Sequence, residues 1–246
     1  MKKVILGMRS FFFMAAFYIV TAVSLIGACW VLLLPERYVF HYIRRWSRSI
    51  TFLLKYIMGI TPQVSGLENI PTGPALIAMR HESVWETVVM FSYIDHFIFV
   101  VKEELLWIPF FGFLLKKLRC ISLRRNKGGA ALRTLVTQGK ERLEQGYKVL
   151  IFPEGTRMAP GSFRPFNSGL SFLYEKIDVP VIPAVLNSGC VWPRRRFYKY
   201  PGTVTLQFLP AISPGMSRDQ FLAHFKCVFT DAYQKLEKEP MHVEKN

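Results

Sequence analysis

The sequence predicts an α/β fold: a largely parallel central sheet covered by helices on both faces, preceded by a helical segment that anchors the chain to a membrane. Two observations carry this. After Gly59, short apolar runs alternate with helical stretches, the order expected of βα units whose strands are buried on both faces. Before that point, no charged residue interrupts positions 10–34. A helix of that length spans roughly 37 Å at ~1.5 Å per residue, more than the ~30 Å hydrocarbon core.

Residues 1–59 form the expected anchor, with an apolar helix over 10–34. Lys2, Lys3 and Arg9 precede that helix, and Arg37, Arg44, Arg45 and Arg48 follow it, so the positive-inside rule assigns no orientation. Over 39–59, Ile43, Trp46, Ile50, Leu53, Leu54, Ile57 and Met58 recur at helical spacing, which predicts an amphipathic helix in the headgroup region. Two arrangements fit: a single span followed by a core helix, or a hairpin that returns both basic flanks to one leaflet. Ile26-Gly27-Ala28-Cys29 resembles a lipoprotein cleavage signal, but the apolar run continues to Leu34, against processing there.

Residues 60–246 are expected to form one domain. Strands are predicted at 75–79, 97–101, 120–123, 148–152, 181–186 and 204–209, and helices at 82–91, 110–118, 130–145, 169–177 and 218–236. In such sheets the active site gathers in loops beyond the carboxyl ends of the strands.

Composition narrows the function. Of 246 residues, 51% are hydrophobic and the formal charge is +15, which points to anionic partners. A nucleic-acid ligand gives no reason for the apolar anchor, and none is expected. The four cysteines, Cys29, Cys120, Cys190 and Cys227, show no C-x-x-C spacing, so neither a zinc ribbon nor a redox motif is expected. His81-Glu82 begins like a zinc-binding H-E-x-x-H, but Trp85 stands where the second histidine is required. No metal or cofactor is expected.

Two motifs carry chemistry. The strand at 75–79 runs into Arg80-His81-Glu82-Ser83-Val84-Trp85-Glu86. On one helix His81 and Glu86 would diverge by ~140°, so they meet only if His81 precedes the helix. A carboxylate on one imidazole nitrogen fixes the tautomer and leaves the other as a general base. At a second strand end stands Phe152-Pro153-Glu154-Gly155-Thr156-Arg157. Arg157 offers a planar donor fork for phosphate, Gly155 allows close approach, and Glu154 either fixes Arg157 or meets an acceptor hydroxyl. Arg194-Arg195-Arg196 beside Trp192 and Tyr198 reads either as a headgroup-binding loop or as a solvated basic one.

Together these motifs resemble the glycerolipid acyltransferase family, particularly its bacterial lysophosphatidic acid acyltransferases. Lys102-Glu103-Glu104-Leu105 with Ile108-Pro109-Phe110-Phe111-Gly112, Ile121-Ser122-Leu123-Arg124-Arg125, and Val179-Pro180-Val181-Ile182-Pro183-Ala184 resemble further family blocks in the family's order. The resemblance covers about 59–208 and makes 60–246 the acyltransferase domain. The chain departs from the family in three places: Glu86 where aspartate is usual, Arg124-Arg125 where Asp-Arg is usual, and Phe166-Asn167-Ser168-Gly169 without the usual lysine.

The resemblance implies transfer of an acyl group from acyl-CoA or acyl carrier protein to the sn-2 hydroxyl of 1-acyl-sn-glycerol-3-phosphate. It makes His81 the base and Glu86 its orienter, and it assigns acceptor binding to Glu154, Gly155, Thr156, Arg157, Arg124, Arg125 and Lys102. A direct attack needs no enzyme nucleophile, and no G-x-S-x-G elbow appears in the sequence. The resemblance and the thioester donor together suggest a bacterial inner membrane, with the domain on its cytoplasmic face. Another lyso-lipid acceptor, and a non-catalytic anionic-lipid-binding membrane protein, remain as alternatives.

Overall fold

A computed structural model describes residues 2–124 and 128–238. Strands with no exposed face dominate the centre of the sheet. β2 (Ala75–Met79), β5 (Lys148–Ile151) and β6 (Val181–Leu186) are buried at every position, as expected of parallel strands covered on both sides. With β1 (Ile60–Ser65), β3 (Phe97–Lys102), β4 (Ile121–Leu123) and β7 (Gly202–Phe208) they form a seven-stranded sheet in the order β1-β7-β6-β2-β5-β3-β4. Five strands from β6 to β4 run parallel, while β7 pairs antiparallel with β6 and parallel with β1.

Side-chain alternation along the strands divides the core in two. Ala75, Ile77 and Met79 face a layer with α1 (Lys2–Val31), α2 (Glu36–Leu53) and α3 (Trp85–Tyr93). Leu76 and Ala78 face α5 (Gly129–Glu144), α6 (Ser168–Glu175) and α8 (Arg218–Lys238) on the other side. α8 buries Phe221, Phe225, Phe229 and Tyr233, a stripe at the i, i+4 spacing of a surface helix. The shorter α4 (Phe111–Lys117) and α7 (Ser188–Val191) follow β3 and β6.

β1 is absent from the sequence prediction because Ile60-Thr61-Pro62-Gln63 offers almost no apolar alternation. Proline is tolerated there since the strand is at the sheet edge. α3 begins at Trp85, three residues later than predicted, because Glu82 and Ser83 donate their backbone N–H groups to the Glu86 side chain at 2.8 Å each, instead of starting the helix.

The N-terminal helices form an antiparallel pair. Tyr42 donates to the Ser24 carbonyl at 2.7 Å, Trp46 to Thr21 at 3.2 Å, and Arg9 to the Ile57 carbonyl at 2.6 Å. α1 spans Lys2–Val31 rather than 10–34, so Lys3 and Arg9 lie within it. The predicted helix over 39–59 is α2 plus one π-helical turn, Leu54–Met58, closed by left-handed Gly59. Its apolar stripe, including Ile43, Ile50, Leu54 and Met58, is buried in the protein core. Its solvent side carries Arg45, Arg48, Phe52, Lys55 and Tyr56, and this is the side available to headgroups. α1 instead exposes an apolar stripe that includes Phe12, Ile19, Val23, Ile26 and Trp30. It is long and apolar enough to cross a membrane, and is a candidate membrane anchor.

Candidate active site

His81 stands just beyond the carboxyl end of β2, before α3, where the chain is not yet helical. That break in the helix lets two residues five positions apart meet: His81 Nδ1 lies 2.7 Å from Glu86 Oε1. The same oxygen accepts the Glu82 and Ser83 N–H groups, and Oε2 accepts the Ser188 hydroxyl at 2.7 Å. The Ser83 hydroxyl accepts the Trp85 N–H at 3.2 Å and completes the turn ahead of α3. The carboxylate that meets the histidine is held by the turn that starts α3.

Burial pushes the Glu86 carboxyl upward, but the hydrogen bond and charge of His81, with the donors of Ser83 and Ser188, hold it below its ordinary value. An ionised carboxylate only accepts hydrogen bonds, so Nδ1 carries the proton and Nε2 is left as the basic nitrogen. Phe152 stacks on the imidazole at 3.9 Å between ring centres, fixing its plane. The extra methylene of Glu86 relative to aspartate is accommodated without lengthening the imidazole contact. Among the described residues, no serine hydroxyl is hydrogen-bonded to His81.

The second motif follows β5. Gly155 has φ +66°, and a Cβ there would lie 2.1 Å from Asn167 Nδ2, so only glycine fits both the backbone and the space. Thr156 and Arg157 line the same cleft as His81 and Lys102. Arg157 holds its proton less tightly than an ordinary arginine, because of burial and the nearby Arg194 and Arg195, with Glu86 opposing; it remains cationic.

Glu154 pairs with Arg80. It is buried, with its Oε1 3.4 Å from Arg80 Nη1 and its Oε2 without a partner. Burial, against the opposing charge of Arg80, raises its carboxyl to about 7. Arg80 is itself buried, bonded to Glu82 at 2.7 Å and to the Ser162 carbonyl at 2.7 Å, and lies 3.5 Å over the Tyr233 ring. Tyr233 also donates to Glu82 at 2.8 Å. This cluster ties β2, the Glu154 loop and α8 together. Lys102 pairs with Glu104 at 2.7 Å. Arg124 pairs with Glu103 and lies outside the cleft lining; Arg125 is outside the described residues.

Sequence reasoning did not single out Arg80, Ser188 or Tyr233. Arg80 and Glu154 are 74 positions apart, and Ser188 and Glu86 are 102 apart, so neither pair has a local signal.

The cleft has a volume of about 540 Å³. His81, Lys102, Arg157 and Arg194 are its basic groups, while Phe17 and Leu25 of α1, Ile43 of α2, Val88 of α3 and Leu115 of α4 belong to its apolar walls. α1 is thus both the exposed apolar helix and a wall of the cleft.

An imidazole oriented by a buried carboxylate, with its Nε2 left as the basic nitrogen, suits general-base chemistry in which a substrate hydroxyl attacks directly. The comparisons make the class specific. The family profile described as Acyltransferase matches residues 61–187. The chain is 39% identical to the 1-acyl-sn-glycerol-3-phosphate acyltransferase of Pseudomonas aeruginosa over 73% of this chain and 70% of that protein. It is 30% identical to the alpha form from Mus musculus over 68% of this chain and 60% of that one. The crystal structure of the 1-acyl-sn-glycerophosphate acyltransferase PlsC from Thermotoga maritima shares the fold, with a TM-score of 0.78 at 23% identity, covering 97% of this chain and 99% of that chain. The chain belongs to the acyltransferase family.

Proposed function

We propose that the protein transfers an acyl group from a thioester, acyl-CoA or acyl carrier protein, to the sn-2 hydroxyl of 1-acyl-sn-glycerol-3-phosphate, giving phosphatidic acid. The observation that carries this is the placement of the His81–Glu86 pair in one cleft with basic side chains and a long apolar wall. An acceptor with a phosphate, a hydroxyl and an acyl chain has the matching chemistry, and it is the acceptor named for the Pseudomonas and mouse relatives.

In this reading His81 Nε2 takes the hydroxyl proton as the oxygen attacks the thioester carbonyl. Collapse of the tetrahedral intermediate breaks the C–S bond, and the imidazolium returns the proton to the departing thiolate. Glu86 holds the tautomer and stabilises the imidazolium. Arg157, with Lys102 and Thr156, binds the acceptor phosphate. Glu154 and Gly155 shape that loop, Glu154 through Arg80. Arg124 pairs with Glu103 outside the cleft lining, so this reading gives it no direct contact with the phosphate. α1 and α2 form a hairpin anchor, with the apolar stripe of α1 in one leaflet and the basic side of α2 at the headgroups. The thioester donor suggests the cytoplasmic face of a bacterial inner membrane.

The test is acyl transfer from a labelled thioester to lysophosphatidate by purified, detergent-solubilised protein, beside His81→Ala with its melting temperature checked. The variant is expected to lose ~10²–10⁴-fold. Equal activity in both would remove His81 from the mechanism. Inactivity of the parent across both donors and a panel of lyso-lipids would leave only lipid binding.

A further inference from the structure

The loop after α7 brings one more guanidinium group, that of Arg194, to the cleft and carries the exposed Arg195 next to it. Arg194 lines the cleft beside Arg157 and donates from Nη1 to the Arg157 carbonyl at 3.3 Å. Arg194 and Arg195 are both close enough to Arg157 to disfavour its charge. None of the three forms an ion pair with a described carboxylate. Glu86, the acidic group nearest in influence to Arg157, is already occupied by His81, two backbone N–H groups and Ser188. Positive charge therefore accumulates here without an internal counter-charge.

The loop is also fixed in place. Ser83, from the histidine block, donates to the Trp192 carbonyl at 2.8 Å. Phe13 and Phe17 of α1 meet the Trp192 ring edge-on, at 5.2 and 5.7 Å between centres. Lys199 is buried and donates to the carbonyls of Arg196 at 2.6 Å and Phe197 at 2.9 Å, and its own N–H donates to Ser10 at 3.1 Å. Arg195 has a left-handed backbone, φ +56°, which is disfavoured for a residue with a side chain. A freely solvated basic loop needs neither that conformation nor those ties.

We propose that Arg194 and Arg195 join Arg157 to select a phosphomonoester headgroup over a phosphodiester one. The inference rests on the lysophosphatidate reading above. A phosphomonoester carries about −1.5 to −2 charge near pH 7 and three acceptor oxygens, enough to engage more than one guanidinium fork. A phosphodiester carries a single negative charge, and its second substituent occupies one of those oxygens. The charge that α1 and the histidine block hold together is therefore suited to a dianion.

The experiment compares the parent, Arg194→Gln/Arg195→Gln and Arg194→Lys in neutral detergent micelles, with lysophosphatidate and lysophosphatidylglycerol as acceptors. Thermal melts with each lipid are run alongside. In the double variant, KM for lysophosphatidate is expected to rise roughly ten- to hundredfold, with kcat little changed. KM for the phosphodiester should move much less, and Arg194→Lys should fall between parent and double variant. An unchanged KM, or an equal rise for both acceptors as a general membrane-attracting loop would give, overturns the proposal. Should the parent acylate neither lipid, the acyl-acceptor reading fails on its own. The melts then decide: stabilisation by lysophosphatidate over lysophosphatidylglycerol in the parent, lost in the double variant, sustains the selection. Its absence from the parent, or its persistence in the variant, overturns it.

Discussion

In the proposed reaction, the imidazole of His81 serves as a base only because one carboxylate is held ionised and aimed at it. Glu86 is buried, yet the hydrogen bond and charge of His81, with the donors of Ser83 and Ser188, keep its carboxyl below its ordinary value. Glu86→Gln keeps the size but removes the charge and offers an N–H where Nδ1 needs an acceptor. We expect transfer to fall by roughly 10³-fold or more, as when a triad carboxylate is made an amide, with Glu86→Asp retaining far more; equal loss in both would mean that geometry, not charge, matters. Glu154 is the converse case. Its proton is held more tightly in the folded protein, about 7 against an ordinary 4.5. Its contribution to stability is thus most favourable below the ordinary value and is lost as pH rises through about 7. Glu154→Gln removes that dependence, so its stability relative to the parent should improve between about pH 5 and pH 8, by at most the order of 3 kcal/mol. Urea unfolding at the two pH values measures this. A pH-independent difference would mean that Glu154 titrates alike in the folded and unfolded states.

At the scale of elements, the site is a set of strand ends and the turns that leave them. His81 follows β2, the Gly155 turn follows β5, and Ser188 follows β6; β2 lies between β5 and β6 in the sheet. Gly155→Ala places a Cβ against Asn167 at a left-handed position, and such backbone strain costs of order 1–3 kcal/mol. The variant should melt lower and lose affinity for the acceptor before it loses turnover, since the turn carries Arg157 and not His81. Acceptor titrations at fixed donor would separate the two. α8 contributes through packing: Phe225 is fully buried against Phe166, Phe221 and Phe229. Phe225→Ala should cost about 3–5 kcal/mol, read by denaturant unfolding; a cost below about 1 kcal/mol would mean that the site collapses around the smaller side chain.

Over the whole molecule, the candidate anchor and the cleft share a helix. α1 presents Phe12, Ile19, Val23 and Trp30 outward, while Phe17 and Leu25 wall the cleft and Phe13 supports the arginine loop through Trp192. Deleting residues 2–31 should therefore abolish transfer in detergent as well as on membranes, because it opens the cleft. Transfer retained in detergent by the shortened chain would reduce α1 to a tether. The charge of +15 adds attraction to anionic surfaces that salt screens, whereas the apolar contact of α1 is not screened.

The sequence by itself determined what is local. Burial on both faces makes each central strand a continuous apolar run, and β2 and β6 have the predicted limits. The phenylalanine stripe of α8 and the long apolar α1 are equally legible, because each pattern lies within one element. The motif residues His81, Glu86 and Arg157 are visible for the same reason, each within a few positions of a strand end. The tertiary structure alone decided which of their neighbours matter. It turned Glu154 to Arg80, brought Ser188 to Glu86 and Arg194 to Arg157, and directed the apolar stripe of α2 into the core. Those pairings cross 37 to 102 positions, and contacts at that range are set by the order of strands in the sheet, which leaves no periodicity along the chain.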